Sequence, residues 1–167
     1  MAIALSLPQV MAEVNYCPQT GRFTHAHDKP GGVRTGDSAE NRIPAGYRQI
    51  VIKRRRVLAH RLAWFITHGA WPTEYIDHID GDRANNRISN LRQATNSQNT
   101  FAQKKTKRGD FRGIRPVGNR WRAQIGAGSR LRHIGYFDSA EAARAAYRNA
   151  AVSHYKEFAV TALGGGA

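Results

Sequence analysis

The order of apolar and polar residues in the first part of the chain predicts short elements joined by polar loops. Residues 1–15 are expected to include a short helix. Two short strands are expected next, in the stretch YCPQTGRFTHAH, with Thr20 and Gly21 near the tip of their turn. Residues 28–46 are rich in Gly, Pro and polar side chains, so they are expected to form a loop.

The middle of the chain carries the clearest helical pattern. Residues 47–52 are expected to form a strand and residues 53–56 a basic turn. A helix is expected from about Ala59 to His68, because Leu62, Phe65 and Ile66 recur at helical spacing. Gly69 is the predicted end of this helix.

A polar segment follows, with the sequence DHIDGDRANNRISNLRQATNSQN. Its start, IDHID, is expected to be a strand, and GDRANNRISN a turn-rich excursion. The remainder is expected to begin with a short strand and to enter a helix, for which Thr95 or Asn96 is a suitable N-cap.

The last third of the chain changes pattern again. Three short strands with Gly-containing turns are expected in FRGIRPV, RWRAQIGAG and RLRHIGYF, followed by an alanine-rich helix over residues 138–158. Alternation in the second strand places Trp121, Ala123 and Ile125 on one face. The opposite, polar face carries Arg120, Arg122 and Gln124. The overall expectation is an α+β protein.

Charge narrows the class of partner. The chain has 167 residues and a formal net charge of +14. Ten Lys and Arg residues fall between positions 104 and 132, against the single acid Asp110. Such a surplus favours a polyanionic partner, since cations that meet phosphates release condensed counterions. A solvated basic face is the alternative, and the interleaved Phe111 and Trp121 favour nucleic acid.

Other features of the composition exclude particular kinds of site and segment. The single cysteine, Cys17, excludes an internal disulfide and a cysteine-based zinc ribbon. The opening MAIALSLPQV lacks a basic start and is not a signal peptide, and no apolar run reaches the length of a membrane helix. We expect a soluble cytoplasmic protein without a membrane or protein partner.

The polar segment holds the residue types of a phosphodiester-cleaving centre. Asp77 stands beside His78, and Asn90 and Asn99 follow within the same segment. Carboxylate and amide oxygens suit a hard divalent cation such as magnesium. An imidazole can take a proton from water near neutral pH. A coincidental Asp-His pair at a strand end is the alternative for these two residues taken alone.

Residues 44–103 resemble the HNH (His-Me finger, ββα-metal) endonucleases of the homing type. The resemblance rests on AHRLAWFITHG, DHIDGD, the NN and NL pairs and the closing SQN. It implies that His78 is the general base, that Asn90 pins the loop, and that Asp77 and Asn99 hold one divalent ion, Mg²⁺ or Mn²⁺. Asn99 stands where many relatives carry His, which favours magnesium over zinc. Arg61 is a candidate for a contact with the scissile-strand phosphate, with packing or a structural ion pair as the alternative.

Residues 111–160 resemble the APETALA2-type DNA-binding domains, which pair a three-stranded antiparallel sheet with one helix. The matching strings are FRGIRPV, RWRAQI and RHIGYFDSAEAARAAY. The resemblance implies that the polar face of the sheet reads the major groove, as other sheet readers do. The sequence leaves open whether Arg130 and Arg132 or Leu131 and His133 share that face. The residues expected to contact DNA are Arg112, Arg115, Arg120, Arg122, Gln124, Arg130, Arg132, His133, Lys104, Lys105, Lys107 and Arg108.

Together these patterns predict a phage- or mobile-element-type DNA endonuclease acting on double-stranded DNA in a bacterial host. Its expected parts are an N-terminal region of unassigned role (1–43), a nuclease domain (44–103), a basic linker (104–110), a DNA-binding domain (111–160) and a disordered tail (161–167). A DNA-binding regulator with an inactive nuclease half remains the main alternative. A structure-specific RNA binder is disfavoured, because the deep major groove of A-form RNA excludes side chains.

Overall fold

The computed structural model describes residues 5–103, 112–127 and 130–163. The chain divides into two compact units, Met1–Gln93 and Ala94–Ala167. Both contain helices and antiparallel strands, which confirms the expected α+β class. None of the helices in the described ranges is long and apolar enough to cross a membrane.

The first unit begins with a short helix and a hairpin. Helix α1, Leu7–Met11, starts at a capping box in which Ser6 and Gln9 bond each other's backbone amides. Strands β1, Val14–Cys17, and β2, Arg22–His25, pair antiparallel, as the sequence predicts. Val10, Val14 and Phe23 are fully buried in the core of this unit.

A three-stranded antiparallel sheet follows, in the order β3-β4-β5. Its strands are β3, Glu40–Arg42, β4, Arg48–Ile52, and β5, Arg55–Leu58. Two expectations are corrected here. Residues 28–46 are not loop throughout, because β3 pairs with β4. The basic turn occupies Lys53 and Arg54 alone, since Arg55 already pairs with Ile52.

Helix α2, Ala59–His68, has the predicted bounds. It ends where Gly69 adopts a left-handed conformation with φ of 73° and donates its N–H to the carbonyl of Phe65. The helix buries Leu62, Ala63 and Phe65 against the sheet residues Ile50 and Ile52. This packing fixes the N-terminal turn of α2, and with it His60.

The polar segment forms two strands around a loop. Strands β6, Tyr75–His78, and β7, Leu91–Ala94, make a two-stranded sheet, and a short 3₁₀ helix, Ile88–Asn90, lies between them in the chain. Helix α3, Asn96–Gln103, follows and belongs to the second unit. The order strand-strand-helix is therefore present along the chain, and the ββα-metal arrangement itself remains a prediction.

The second unit contains the three-stranded antiparallel sheet expected from the sequence. Its order is β10-β9-β8, formed by β8, Ile114–Val117, β9, Arg120–Ala127, and β10, Arg130–Phe137. Helix α4, Ala140–Tyr155, begins at Ser139, whose hydroxyl accepts from the amide of Ala142. Its buried stripe is Ala143, Tyr147, Ala151 and Tyr155.

Two details of this unit differ from expectation. The long helix ends at Tyr155, because Lys156 adopts a positive φ of 50° and starts a separate helix α5, Glu157–Ala162. The compact unit also begins before the predicted linker, because Ala94 and Phe101 pack into its core with Ile125 and Tyr155. The linker residues 104–110 lie outside the described residues, so a functional boundary there remains a prediction.

Candidate active site

Strand β6 brings Asp77 and His78 into the interior of the first unit. Both side chains are buried, at 8% and 6% relative exposure. Consecutive strand residues face opposite sides of a sheet, and these two accordingly meet different neighbours. Asp77 forms an ion pair with Arg92 of β7. The ring of His78 lies 5.1 Å from that of His60, measured between centroids.

The imidazole of His78 is oriented by Asn86. The Nε2 atom of His78 lies 3.4 Å from Oδ1 of Asn86, which is 1% exposed. The Nδ2 group of Asn86 donates to the carbonyl of Ala84, so Oδ1 is the acceptor and His78 donates from Nε2. His78 Nδ1 makes no hydrogen bond with any described residue, and it therefore carries the lone pair available to a proton.

Burial keeps His78 uncharged. Desolvation lowers the pKa of His78 below its ordinary value of 6.5, and this outweighs the opposing effects of the Asn86 hydrogen bond and of Asp80 and Asp77. A neutral imidazole with one nitrogen fixed and the other free is suited to accept a proton at neutral pH.

The loop after His78 is held by side-chain hydrogen bonds to its own backbone. Asn90 accepts from the amide of Asp80 through Oδ1 and donates through Nδ2 to Asp80 and to the carbonyl of Asn85. Asp80 also accepts from the side chain of Asn85 and from the amide of Asp82. Burial would raise the pKa of Asp80, but the hydrogen bonds from Asn85 and Asn90 lower it overall. Asn90 thus connects both ends of the loop that follows the candidate base.

The N-terminal hairpin supports this loop from outside. The hydroxyl of Tyr16 donates to the carbonyl of Asn86 at 2.8 Å, and Nε of Arg87 donates to the carbonyl of Gln19 at 2.8 Å. Gly21 approaches so closely that a Cβ there would lie 2.4 Å from the amide nitrogen of Arg87. The region to which the sequence assigned no role is therefore in contact with the residue that orients His78.

His60, which is buried, and Tyr47, which is half-buried, complete the aromatic surroundings of His78. The ring of Tyr47 lies 5.2 Å from that of His60 and 6.0 Å from that of His78. Desolvation, followed by electrostatic coupling to His78 and Arg61, lowers the pKa of His60 to about 3. Its Nδ1 is buried and has no hydrogen-bond partner among the described residues. His60 is therefore a neutral ring packed against the candidate base.

Arg61, the candidate phosphate ligand, is used structurally in this conformation. Its guanidinium donates to the carbonyls of Pro72 and Glu74 at 3.0 and 3.3 Å. These bonds tie α2 to the segment that enters β6. A contact between Arg61 and DNA remains a prediction.

Asp77 is the described residue that suits a divalent cation in the first unit. Its Oδ2 accepts from Nε of Arg92 at 2.9 Å and lies 2.8 Å from Nη2, whereas its Oδ1 makes no hydrogen bond with a described residue. A carboxylate oriented through one oxygen, with no described hydrogen bond at the other, fits a hard cation. Within the described ranges no three His, Cys, Asp or Glu side chains cluster as a metal site. Asn99, the second predicted ligand, lies in α3 of the second unit.

The β8-β9-β10 sheet resolves the face that the sequence left open. Arg115 lies directly opposite Arg122, and Arg122 lies opposite Tyr136, so these three side chains share one face. A β-bulge at Ile134 shifts the pairing between His133 and Gly135. Because of that shift, His133 pairs with Gln124 and joins the arginine face.

Three predicted DNA ligands fall elsewhere. Arg132 pairs with Ile125 and Arg130 with Ala127, so both point to the side of the sheet that carries the apolar residues, although both are exposed. Arg112 precedes β8, and its guanidinium donates to the carbonyl of Phe101 and covers the ring of Phe101 at 4.8 Å. Arg120 stays on the arginine face and pairs with Asp138 at 3.1 Å. Lys104, Lys105, Lys107 and Arg108 lie outside the described residues.

Comparison with protein families agrees with the chemistry of the candidate active site around His78. Residues 57–101 match the family model described as HNH endonuclease. Comparison with curated proteins and comparison with solved structures each found no match. The matched segment contains His60, His78, Asn86, Asn90 and Asp77, the residues whose geometry is given above. It supports a nuclease in this part of the chain, with DNA as the implied substrate and the divalent metal ion that such domains generally use.

Proposed function

We propose that this chain is a divalent-metal-dependent DNA endonuclease of the homing type, with His78 as its general base. The observation that carries the proposal is the state of that imidazole, which is buried and neutral, with Nε2 bonded to Asn86 and Nδ1 free. The neighbouring His60 also has a nitrogen without a described partner, but no hydrogen bond from a described side chain orients its ring as Asn86 orients that of His78. The family match over residues 57–101 supplies independent support.

In the proposed reaction, Nδ1 of His78 accepts a proton from a water molecule as that water attacks the phosphodiester phosphorus. The P–O3′ bond then breaks and the leaving O3′ takes a proton from solvent water, which leaves 5′-phosphate and 3′-hydroxyl ends. Asn86 holds the ring during proton transfer, and Asn90 holds the loop that carries Asn86. Because Nε2 donates to Asn86, the positive charge formed on the ring stays hydrogen-bonded.

Asp77, through Oδ1, is the proposed metal ligand of the first unit, and Asn99 is the second ligand that the sequence predicts. A divalent ion bound there would stabilise the negative charge that develops on the phosphate and the leaving oxygen. Magnesium or manganese suits oxygen ligands and keeps several waters.

The second unit is proposed to read double-stranded DNA through the arginine face of its sheet, in the manner of APETALA2-type domains. Arg115 and Arg122 stand opposite one another, and like charges so placed destabilise a sheet. A bound phosphate backbone removes that repulsion, which a merely solubilising surface would not need. The sequence pattern further suggests a phage or mobile-element origin and action in a bacterial cytoplasm.

Plasmid nicking tests the proposal. Supercoiled DNA incubated with the wild-type chain and magnesium should be converted to relaxed or linear forms, and His78→Ala should lower the rate by at least about 100-fold, the lower end of a single general acid-base contribution. Asp77→Asn and Asn99→Ala should weaken magnesium binding, so that a higher magnesium concentration is needed for half-maximal nicking. Zinc should support less cleavage than magnesium does.

The alternative, a DNA-binding regulator with an inactive nuclease half, gives a different result in the same assay. The wild-type chain would then bind plasmid without changing its topology at any magnesium or manganese concentration. Cleavage that persists undiminished in His78→Ala would remove the proposed base while leaving nuclease activity in place.

A further inference from the structure

The tip of the β4–β5 hairpin is unusual in both charge and backbone. Four consecutive cations, Lys53 to Arg56, are all exposed. Lys53 and Arg54 form the two-residue turn, because Ile52 and Arg55 are the last paired residues on either side. No element of the proposed catalytic site uses them.

Both turn residues adopt positive φ, 47° for Lys53 and 64° for Arg54. Two-residue turns with positive φ at both positions strongly prefer Asn-Gly or Asp-Gly, because residues with a Cβ are strained there. A Lys-Arg pair places two long cations at the position where the backbone least favours them. Strain retained at an exposed tip points to a function of the side chains rather than of the turn.

The charges of Lys53, Arg54 and Arg56 are not neutralised by neighbours that the structure describes. Within the described part of the chain, Lys53, Arg54 and Arg56 form no ion pair, and Lys53 contributes only weakly to the lowered pKa of Glu13. Arg56 lies opposite Val51, which is 42% exposed, so it stands on the outer face of the sheet. The tip is therefore a compact, solvent-facing group of cations.

The hairpin runs from the candidate active site to this tip. Tyr47, whose ring is 6.0 Å from that of His78, immediately precedes β4. Strand β4 then extends over Arg48–Ile52, roughly 17 Å at about 3.4 Å per residue. This length is below one turn of duplex DNA, about 34 Å. A duplex cleaved beside His78 can therefore reach the tip.

We infer that the β4–β5 tip is a second DNA contact, in which Lys53 and Arg54 bind backbone phosphates within one helical turn of the scissile bond. The inference rests on the proposed function in taking duplex DNA as the ligand. The contact positions the nuclease unit without reading sequence, because phosphate oxygens are the same at every base pair. It is separate from the arginine face of the second unit.

The test uses the full chain with Lys53→Asn and Arg54→Gly combined. This replacement keeps the two-residue turn, relieves the strained φ and removes two charges. Binding to a fluorescent duplex in EDTA, measured over a series of salt concentrations, gives the slope of log Kd against log salt. Loss of two phosphate contacts should reduce that slope by about 1.8, while the thermal midpoint should not fall.

A matched control removes two exposed cations elsewhere, with Arg34→Asn and Arg148→Gln combined. The slope of this control should differ from the wild-type slope by less than about 0.5, which corresponds to about half of one phosphate contact. A second variant, Lys53→Gln with Arg54→Gln, keeps the strained backbone and should reproduce the reduced slope. An unchanged slope in both tip variants, or an equal reduction in the control, would overturn the inference.

Ethylation interference locates the contact. Phosphates whose modification blocks wild-type binding should include positions within one turn of the nick, and these should drop out in the tip variant. Their persistence would overturn the inference even if the slope had changed. Nicking by the wild-type chain is a separate readout: its presence with an unchanged slope rejects the tip contact alone, and its absence rejects the proposed function.

Discussion

Oδ1 of Asn86 lies 3.4 Å from Nε2 of His78, and this contact decides which imidazole nitrogen can act as a base. The backbone of Asn86 is in turn bonded to Tyr16, seventy residues away in the chain. Three separate parts of the first unit, the N-terminal hairpin, the polar loop and strand β6, therefore position the proposed proton acceptor together.

Replacing Asn86 with Ala should damage the reaction more than DNA binding. Without the amide, the ring of His78 is free to rotate, so we expect kcat to fall by about 10- to 100-fold, as for other partners that orient an imidazole, with little change in KM. The Asn86 bond raises the pKa of His78 against the effect of burial. The acidic limb of the nicking rate should therefore move to lower pH in the variant, and a limb that moves to higher pH would contradict this role.

Tyr16→Phe should reveal the support given by the hairpin. The change removes one hydroxyl that donates to the carbonyl of Asn86, which should lower the free energy of unfolding by about 1 kcal/mol. We also expect a several-fold loss of kcat, because the loop is less well fixed. Tyr75→Phe is the control, since Tyr75 is 53% exposed. Equal losses of kcat in the two variants would argue against a positioning role for Tyr16.

Contacts of this kind mark the limit of prediction from the sequence. The bounds of helix α2 follow from apolar spacing and from Gly69, because both signals are local. The chemistry proposed for Asp77 and His78 follows from residue types in a short segment. The sequence predicts only a turn-rich excursion around Asn86, because nothing local shows that its carbonyl meets Tyr16 or that its amide meets His78.

The face of strand β10 could not be predicted for a different reason. Alternation has a period of two, so one inserted residue reverses every assignment beyond it. The bulge at Ile134 is such an insertion, and it places His133 with Gln124 and Tyr136 with Arg122 on the same face. No residue type in RLRHIGYF identifies the bulge, since Gly135 follows it rather than occupying it.

Arg92→Ala should be far more destabilising than the loss of an exposed ion pair. Arg92 and Asp77 are both buried, so removal of the guanidinium leaves a buried carboxylate without its partner. We expect the free energy of unfolding to fall by about 3–5 kcal/mol. Arg120→Ala, which breaks the exposed pair with Asp138, should cost less than about 1 kcal/mol. Urea denaturation of both variants measures the two free energies of unfolding. Similar losses would show that the Asp77–Arg92 pair contributes no more to stability than an exposed ion pair does.

His60 should make the protein sensitive to acid. The pKa of His60 is about 3 in the folded protein, whereas an imidazole that is not buried has an ordinary pKa of 6.5. Between these values the unfolded chain binds a proton that the folded chain does not, so stability is highest above pH 6.5 and falls as the pH is lowered, by at most roughly 1.4 kcal/mol per pH unit.

His60→Phe keeps a ring against Tyr47 and His78 but cannot take up a proton. Its unfolding free energy should therefore fall less steeply with decreasing pH than that of wild type. Some slope should remain, because the pKa of His78 is also lowered. Chemical denaturation at several pH values measures the slopes, with His68→Gln at the exposed end of α2 as the control. An unaltered slope in His60→Phe would exclude a buried neutral imidazole at this position.

Arg122→Ala should weaken DNA binding more than Arg22→Ala does, although each removes one cation from a β-strand. Arg122 stands between Arg115 and Tyr136 on the free face of its sheet, whereas Arg22 is an exposed residue of the N-terminal hairpin. If Arg122 contacts a base edge, its loss should cost about 1–3 kcal/mol at the preferred site and less on unrelated duplex. Binding titrations against both DNAs test this, and equal losses for the two arginines would mean that only net charge matters.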